Sequence, residues 1–472
     1  MIRFGMLLLT IAITTPSAAI LHAADNDFRA GVAVRDITPP IGYRMSGYFY
    51  ERGSTGTLDP LQAKALVLAQ GDTQAALVFC DLIGLGRNVS DRARELASKE
   101  TKIPASNIVI AATHSHTGPL YAGVLRDYFH AQAVAKHGHD PAEQGIDYPA
   151  VLAKQIAAAI VAAQANLQSV TLAGVQAEQR GLSFNRRFHM KDGSVRFNPG
   201  RNNPDIVRVA GPIDPELNLL TFRGKETLLA TLAVFALHLD TVGGTEYSAD
   251  YPHHFARLAR TPKSSADELL LFGAGTCGDI NHINVTQADQ PKGQAMAEHI
   301  GTTLSATLRQ AVEKSQTLKP QLAVRSSLVV CPLQKYESEA IAKAQANMSK
   351  VGGKELSFLD QVEACKIVAL QNRPKDNLNC EVQVFRLSNS TAIVCLPGEV
   401  FVDLGLAIKA ASPFEHTIVI ELCNDAPGYI PTKKAFAEGS YETVNSLLAP
   451  GGGELLVEEA LKLLKALYKP AA

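Results

Sequence analysis

The chain has no tryptophan, and charged residues make up only 19% of its 472 positions. Without tryptophan it lacks the residue that most often builds an aromatic belt at a membrane surface. Lys plus Arg number 45 and Asp plus Glu 46, a formal net charge of −1. That balance excludes a strongly basic nucleic-acid binder and a polyanionic tail. No Cys-x-x-Cys pair occurs, which argues against a structural zinc–thiolate site. Past the N-terminus no run offers the roughly 18 uncharged apolar residues of a spanning helix. Repeats and low-complexity tracts are also missing. What is there is 46% hydrophobic, too apolar for a disordered chain and long enough to bury a core without disulfides. The class left standing is a large, near-neutral globular enzyme.

Residues 1–24 read as a signal peptide. Arg3 supplies the positive start, Met6 to Ile13 the apolar stretch, and small residues follow, with cleavage after Ala19, Ala23 or Ala24. The mature protein is therefore expected to be exported, periplasmic or extracellular; an uncleaved anchor is the alternative. Of the seven cysteines, Cys80, Cys395 and Cys423 fall in or at the end of apolar runs and read as inert core residues. Cys365 and Cys380 lie in a polar region, where pairing and non-pairing are both open.

Strand-like and helical patterns alternate along the chain. Apolar runs at 74–81, 107–113, 227–237, 268–272, 391–396 and 416–422 predict strands, the third as part of a hairpin. Helical spacing is expected over 88–100, with Asn88 or Ser90 as N-cap, and over 291–315, with Pro291 in the first turn. Further helices are expected over 250–259, 400–411 and 454–467. The polar stretch 336–371 reads as a peripheral helical excursion. The prediction is an α/β fold: one large catalytic domain over 25–472, a mixed sheet core with helices, and an active site at the carboxyl ends of strands.

The polar clusters sit where apolar strands stop. One strand ends in His114-Ser-His116, another in His238-Leu-Asp240, a third in Gly273–Gly278 with Asp279 to His282, a fourth in Gly398-Glu399, and a fifth in Cys423–Asp425 running on to Tyr429. A histidine after an apolar strand is often only a hydrogen-bonded core residue. Two such segments plus a carboxylate favour a metal, and imidazoles with a carboxylate suit Zn²⁺. The glycine-rich segment lacks the pattern of a phosphate loop or dinucleotide fingerprint. Its glycines serve a close ligand approach, amide donors for an oxyanion, or a plain tight turn. His253 and His254 read as structural, and His130, His137 and His139 as solvated loop residues.

In this order these segments resemble the neutral/alkaline non-lysosomal ceramidase family, specifically its N-terminal catalytic domain. The resemblance is carried by Gly31–Pro39 (GVAVRDITP), Ala111–Pro119 (AATHSHTGP), Phe235–His238, Ser248–Asp250, Thr276–Asn281, Leu396–Glu399, and Gly428-Tyr429 with Tyr441 twelve residues on. It implies one zinc per chain held by His114, His238, Glu399 and Tyr429. His116 would be a supporting or substrate-contacting group, Arg186 the substrate-facing arginine and Tyr441 a second active-site tyrosine. The implied activity is zinc-dependent hydrolysis of an N-acyl amide, N-acylsphingosine to sphingosine plus fatty acid. His116 or Asp240 would move the proton to the leaving amine, and Arg186 or Tyr441 would help the oxyanion.

The sequence also departs from the family. Gly275 stands where some ceramidases place a serine, so a serine nucleophile there is unsupported. The C-terminal β-sandwich domain is expected to be absent. With no tryptophan, the substrate is left as a small-molecule or lipid-like N-acyl compound. The alternatives are a secreted zinc esterase or deacylase on a small polar or cell-wall substrate, a catalytically silent binding protein, or a two-metal hydrolase that adds Asp81, Asp240 or Asp250 as ligands. No nucleic-acid partner and no integral span after signal removal are expected; the oligomeric state is left open.

Overall fold

The computed structural model describes residues 27–261, 264–265 and 268–470. The signal-peptide reading at 1–24 lies outside the described residues. Three sheets carry the fold, each a set of antiparallel strands ending in one parallel pair. The first holds β1 (Arg29–Asp36), β2 (Gln62–Gln70), β3 (Thr73–Cys80) and β4 (Ile108–Ala112) in the order β4-β3-β2-β1. The second holds β5 (Thr171–Glu178), β6 (Glu216–Arg223), β7 (Leu228–Phe235) and β8 (Leu269–Ala274) in the order β8-β7-β6-β5. The third holds β9 (Pro320–Pro332), β10 (Asn377–Ser388), β11 (Thr391–Cys395) and β12 (His416–Ile420) in that order. The parallel pairs are β3/β4, β7/β8 and β11/β12. Parallel neighbours need a crossover, and α1 (Arg87–Thr101), α4 (Tyr251–Ala259) and α8 (Val402–Ala411) supply them. The remaining long helices are α2 (Val124–His137), α3 (Tyr148–Ala165), α5 (Gln294–Val312), α6 (Ser338–Met348), α7 (Phe358–Gln371) and α9 (Gly452–Leu467).

All three sheets share one core. Leu77 and Phe79 of the first meet Phe222 and Leu232 of the second and Phe385 and Ile393 of the third, all buried. Helices cover the outer faces: α3 the first sheet, α4 and α5 the second, α8 and α9 the third. Burying these apolar faces drives assembly, at roughly 25 cal/mol per Å² removed from water. The arrangement gathers the carboxyl ends of the three parallel pairs at one place.

Several expectations are corrected. The N-cap of α1 is Gly86, not Asn88 or Ser90, and it gives no side-chain bond. Pro291 lies outside α5, whose N-cap is Gly293. α3 is long and apolar enough to cross a membrane by length and composition alone. Leu152, Ile156 and Ile160 on it are core residues. Cys365 and Cys380 do not pair: all seven cysteines are free and buried. His130 is on a helix and ion-paired to Asp140 at 2.9 Å rather than solvated in a loop. The hairpin expected at 227–237 forms, as β6–β7.

Candidate metal centre and active site

His114 follows β4 by two residues. Its backbone N–H donates to Leu82 O at 2.8 Å, so the stub after β3 fixes the turn. The turn holds His114 at φ 81, a conformation that L-residues with a side chain rarely adopt. Such a residue costs of order 1–3 kcal/mol and persists where the surroundings over-determine it. His238 follows β7 by three residues and is fully buried. The two rings meet with Nε2 atoms 2.8 Å apart, and His116 Nε2 lies 3.3 Å from His114 Nε2.

The outer nitrogens settle the tautomers. His114 Nδ1 lies 2.7 Å from Ile83 O, and His238 Nδ1 lies 3.2 Å from Cys277 O. A carbonyl only accepts, so each Nδ1 carries its hydrogen and each Nε2 turns a lone pair inward. Glu399 closes the group: its Oε2 lies 3.3 Å from His114 Nε2 and 3.7 Å from His238 Nε2. That oxygen is buried and has no hydrogen-bond partner. Facing lone pairs beside an orphaned carboxylate oxygen are what a cation would satisfy. Glu399 and Tyr429 sit directly opposite each other in a short parallel strand pair, so both side chains leave on one face. Against the cost of burial, His114 first and then the Tyr429 phenol hold the Glu399 carboxyl below its ordinary value. The two imidazoles, carboxylate and phenol named from the sequence thus come together, and the donor set fits zinc. His116 joins them as a third imidazole, closer to the centre than a supporting role required.

Burial opposes charge on His114, but Glu399 outweighs it and the pKa is raised. Burial, with repulsion from His114, holds His238 well below the ordinary histidine value. Burial takes His116 down to about 4. Tyr429 and Tyr441 are both raised by burial, Tyr441 to about 12.

Arg186 is buried and anchored rather than free: Nε donates to Glu442 Oε1 and Nη2 to Gly278 O, each at 2.8 Å. Its guanidinium carbon lies 5.4 Å from the Tyr429 ring and 5.8 Å from the Tyr441 ring. The other oxygen of Glu442 takes Arg187 Nη1 at 2.9 Å. Glu442 was not picked from the sequence, although it directly follows Tyr441.

Tyr441 packs 4.7 Å from Phe197 and 5.3 Å from Phe358, and Phe358 packs 5.7 Å from Phe49. Phe358 opens α7 and is 44% exposed. The stretch read as a peripheral excursion therefore supplies part of an aromatic wall running out from Tyr441.

The amides of Gly275, Cys277 and Gly278 in the glycine-rich loop are already used and not free for an oxyanion. Gly275 N–H donates to Phe235 O and Gly278 N–H to Val400 O, and Cys277 N–H goes to Glu421. Gly278 is required for closeness instead, because a Cβ there would lie 2.5 Å from Glu399 O. The two-metal alternative also loses its carboxylates. Asp250 accepts from the backbone N–H groups of Thr241, Val242 and Tyr251, and Asp81 accepts from Gln62 N–H and pairs with Lys64. Asp240 faces His282 at 3.0 Å.

Glu421, also missed in the sequence, lies behind the site. One oxygen accepts from Val400 N–H at 2.7 Å and Cys277 N–H at 3.1 Å. Burial raises its pKa from 4.5 to about 8. The folded state then holds this proton more tightly than the unfolded chain. Its stabilising contribution is complete below about pH 4.5 and is lost as pH rises toward 8. In chelated protein, Glu421→Gln should flatten the fall in stability between pH 5 and pH 8, read as urea midpoints; an unchanged slope would assign that fall to other groups.

Residues 28–247 match the family model of neutral/alkaline non-lysosomal ceramidase, N-terminal. His114, His116, Arg186 and His238 lie inside that span; Glu399, Tyr429 and Tyr441 lie beyond it. The crystal structure of neutral ceramidase from Pseudomonas aeruginosa is similar, with a TM-score of 0.70 and 20% identity over 95% of this chain and 76% of that one. A ceramidase structure complexed with C2 gives 0.68 and 19%, over 95% and 77%. At these identities the likeness is one of fold. No curated protein sequence matches the chain.

Proposed function

We propose that this chain, whose residues 28–247 match the neutral/alkaline non-lysosomal ceramidase family model, is an exported zinc-dependent amidohydrolase that cleaves an N-acyl amide in the manner of a ceramidase. One observation carries the reading: an orphaned buried Glu399 oxygen faces two inward imidazole nitrogens at 3.3 and 3.7 Å. His114, His238, Glu399 and Tyr429 would hold the zinc. Bound there, zinc would lower the pKa of a water toward 7 and polarise the amide carbonyl. The chain's own groups do the rest. Carbonyls at Ile83 and Cys277 lock the two imidazoles, as partners behind metal ligands do. Arg186, with its guanidinium carbon 5.4 Å from the Tyr429 ring, favours the anionic phenol a cation needs and would place positive charge beside the oxygen of the attacked carbonyl. His116 contacts the reacting group from the third side. Phe197, Phe358 and Phe49 offer the apolar part of the substrate a wall.

The test is turnover of metal-loaded protein on a panel of ceramides, short N-acyl amines and matched esters. Amide hydrolysis abolished by chelation and restored by zinc is expected. Activity that survives chelation would sink the metal mechanism. Stoichiometric zinc with no turnover on any member would leave a silent binding protein.

A further inference from the structure

We propose that His282 is a further catalytic residue, oriented by Asp240, that delivers the proton to the departing nitrogen. The inference rests on the amidohydrolase reading. His282 lies in the loop after β8, at the end of the second sheet that also presents His238, and Asp240 is two residues past His238. Asp240 Oδ1 lies 3.0 Å from His282 Nδ1. A carboxylate accepts, so Nδ1 carries the hydrogen and Nε2 is the nitrogen left for exchange. Nε2 makes no hydrogen bond among the described residues, and the side chain is 13% exposed, at the rim rather than in the core.

The mount is rigid. His282 O accepts from Gln290 Nε2 at 3.2 Å, Asn281 Nδ2 donates to Asn198 Oδ1 at 2.9 Å, and Asn281 Oδ1 caps Ile283 N–H at 3.0 Å. Asp240 stands two residues past His238 and is paired with the His282 ring, so one carboxylate ties the segment that carries a metal-side imidazole to that ring. His114 and His238 cannot serve as shuttles, because each has one nitrogen on a carbonyl and the other turned to the centre. A carboxylate behind an imidazole with one free nitrogen is the arrangement that orients an acid–base histidine. Burial opposes charge on His282, but Asp240 outweighs it and keeps the proton on the ring above the ordinary histidine range.

The step balances. The attacking water forms the new C–O bond and the C–N bond breaks. The electron pair stays on nitrogen and takes the Nε2 proton, and the proton lost by water restores the ring.

The test compares wild type, His282→Gln and His282→Asn on an N-acyl alkylamine and on the p-nitrophenyl ester of the same acyl group. The ester's leaving group needs no proton. Asparagine puts an amide near Nδ1, so it preserves a donor to Asp240, whereas glutamine reaches toward Nε2. Both variants should lose about 10²-fold or more in kcat on the amide, with ester turnover within a few-fold of wild type and zinc content unchanged. Equal losses on both substrates would mark His282 as structural, and no loss would discard it; either overturns the inference alone. If wild type itself cleaves no amide, the amidohydrolase reading falls and takes this inference with it.

Discussion

Replacing His114 or His238 by alanine is expected to bring zinc content from one per chain to near zero and to lower kcat/KM on an N-acyl amine by at least about 10³-fold, the scale on which groups acting as one catalytic unit fail. Each imidazole is held by a backbone carbonyl on one side and faces the other ring at 2.8 Å, so each is fixed in place to act on the same centre. His114→Ala should not unfold the protein, because the strained φ of 81 is no worse for alanine and the backbone bond to Leu82 survives. His116→Ala separates the roles of the three rings. Retained zinc with reduced turnover would place His116 on the substrate; lost zinc would make it a ligand. Full activity in chelated His114→Ala protein would remove the metal centre from the account.

The largest expected effect on stability lies at Glu442. It is fully buried and its two oxygens bind Arg186 and Arg187, themselves 4% and 2% exposed. Glu442→Ala strands two buried cations. Removing one partner from such a group costs about 3–5 kcal/mol, and Glu438, 3.3 Å from Arg187, offsets only part of it. The urea midpoint should fall accordingly. Arg186 would also lose the bond that aims it at Tyr429, so activity should drop even under conditions where the variant is folded. A change below about 1 kcal/mol would show that water reaches both guanidinium groups and that the pair is not sealed.

The strand-end histidines and Glu399 were legible in the sequence because each ends an apolar run, and the chemistry of such ends is local. The parallel partners β3/β4, β7/β8 and β11/β12 were legible for the same reason, as short buried runs. The long hairpin β9–β10 was not, since most of β9 is only half-buried, Leu322 and Cys331 alone are buried, and Leu328 and Val330 are exposed. Tyr429 entered through family resemblance, because nothing local marks a tyrosine as a ligand. Glu442 and Phe358 act through partners more than 80 residues away in sequence, and Glu421 through Cys277 144 residues away and Val400 21 residues away; no spacing rule reports such contacts. The cap of α1 was misread because Asn88 and Ser90 have the right chemistry but sit inside the helix, where the chain arrives from Gly86. The glycine loop was left open between close approach, amide donors and a plain turn, because the sequence does not show that Gly278 packs against the Glu399 backbone.

The parallel pairing of Glu399 with Tyr429 would make the two proposed oxygen donors one mechanical unit. Strand side chains alternate with a period of two, so a shift by a single residue would turn a donor to the opposite face. Val400, paired with Ile430 one step along, would then meet the histidines instead. Such a slip offers the cation an isoleucine or a valine in place of an oxygen, so partial occupancy of the oxygen side has no low-energy form. The cation would in turn act as a pin on strand register, and its affinity would read out whether the last two segments of the chain have met in the right alignment.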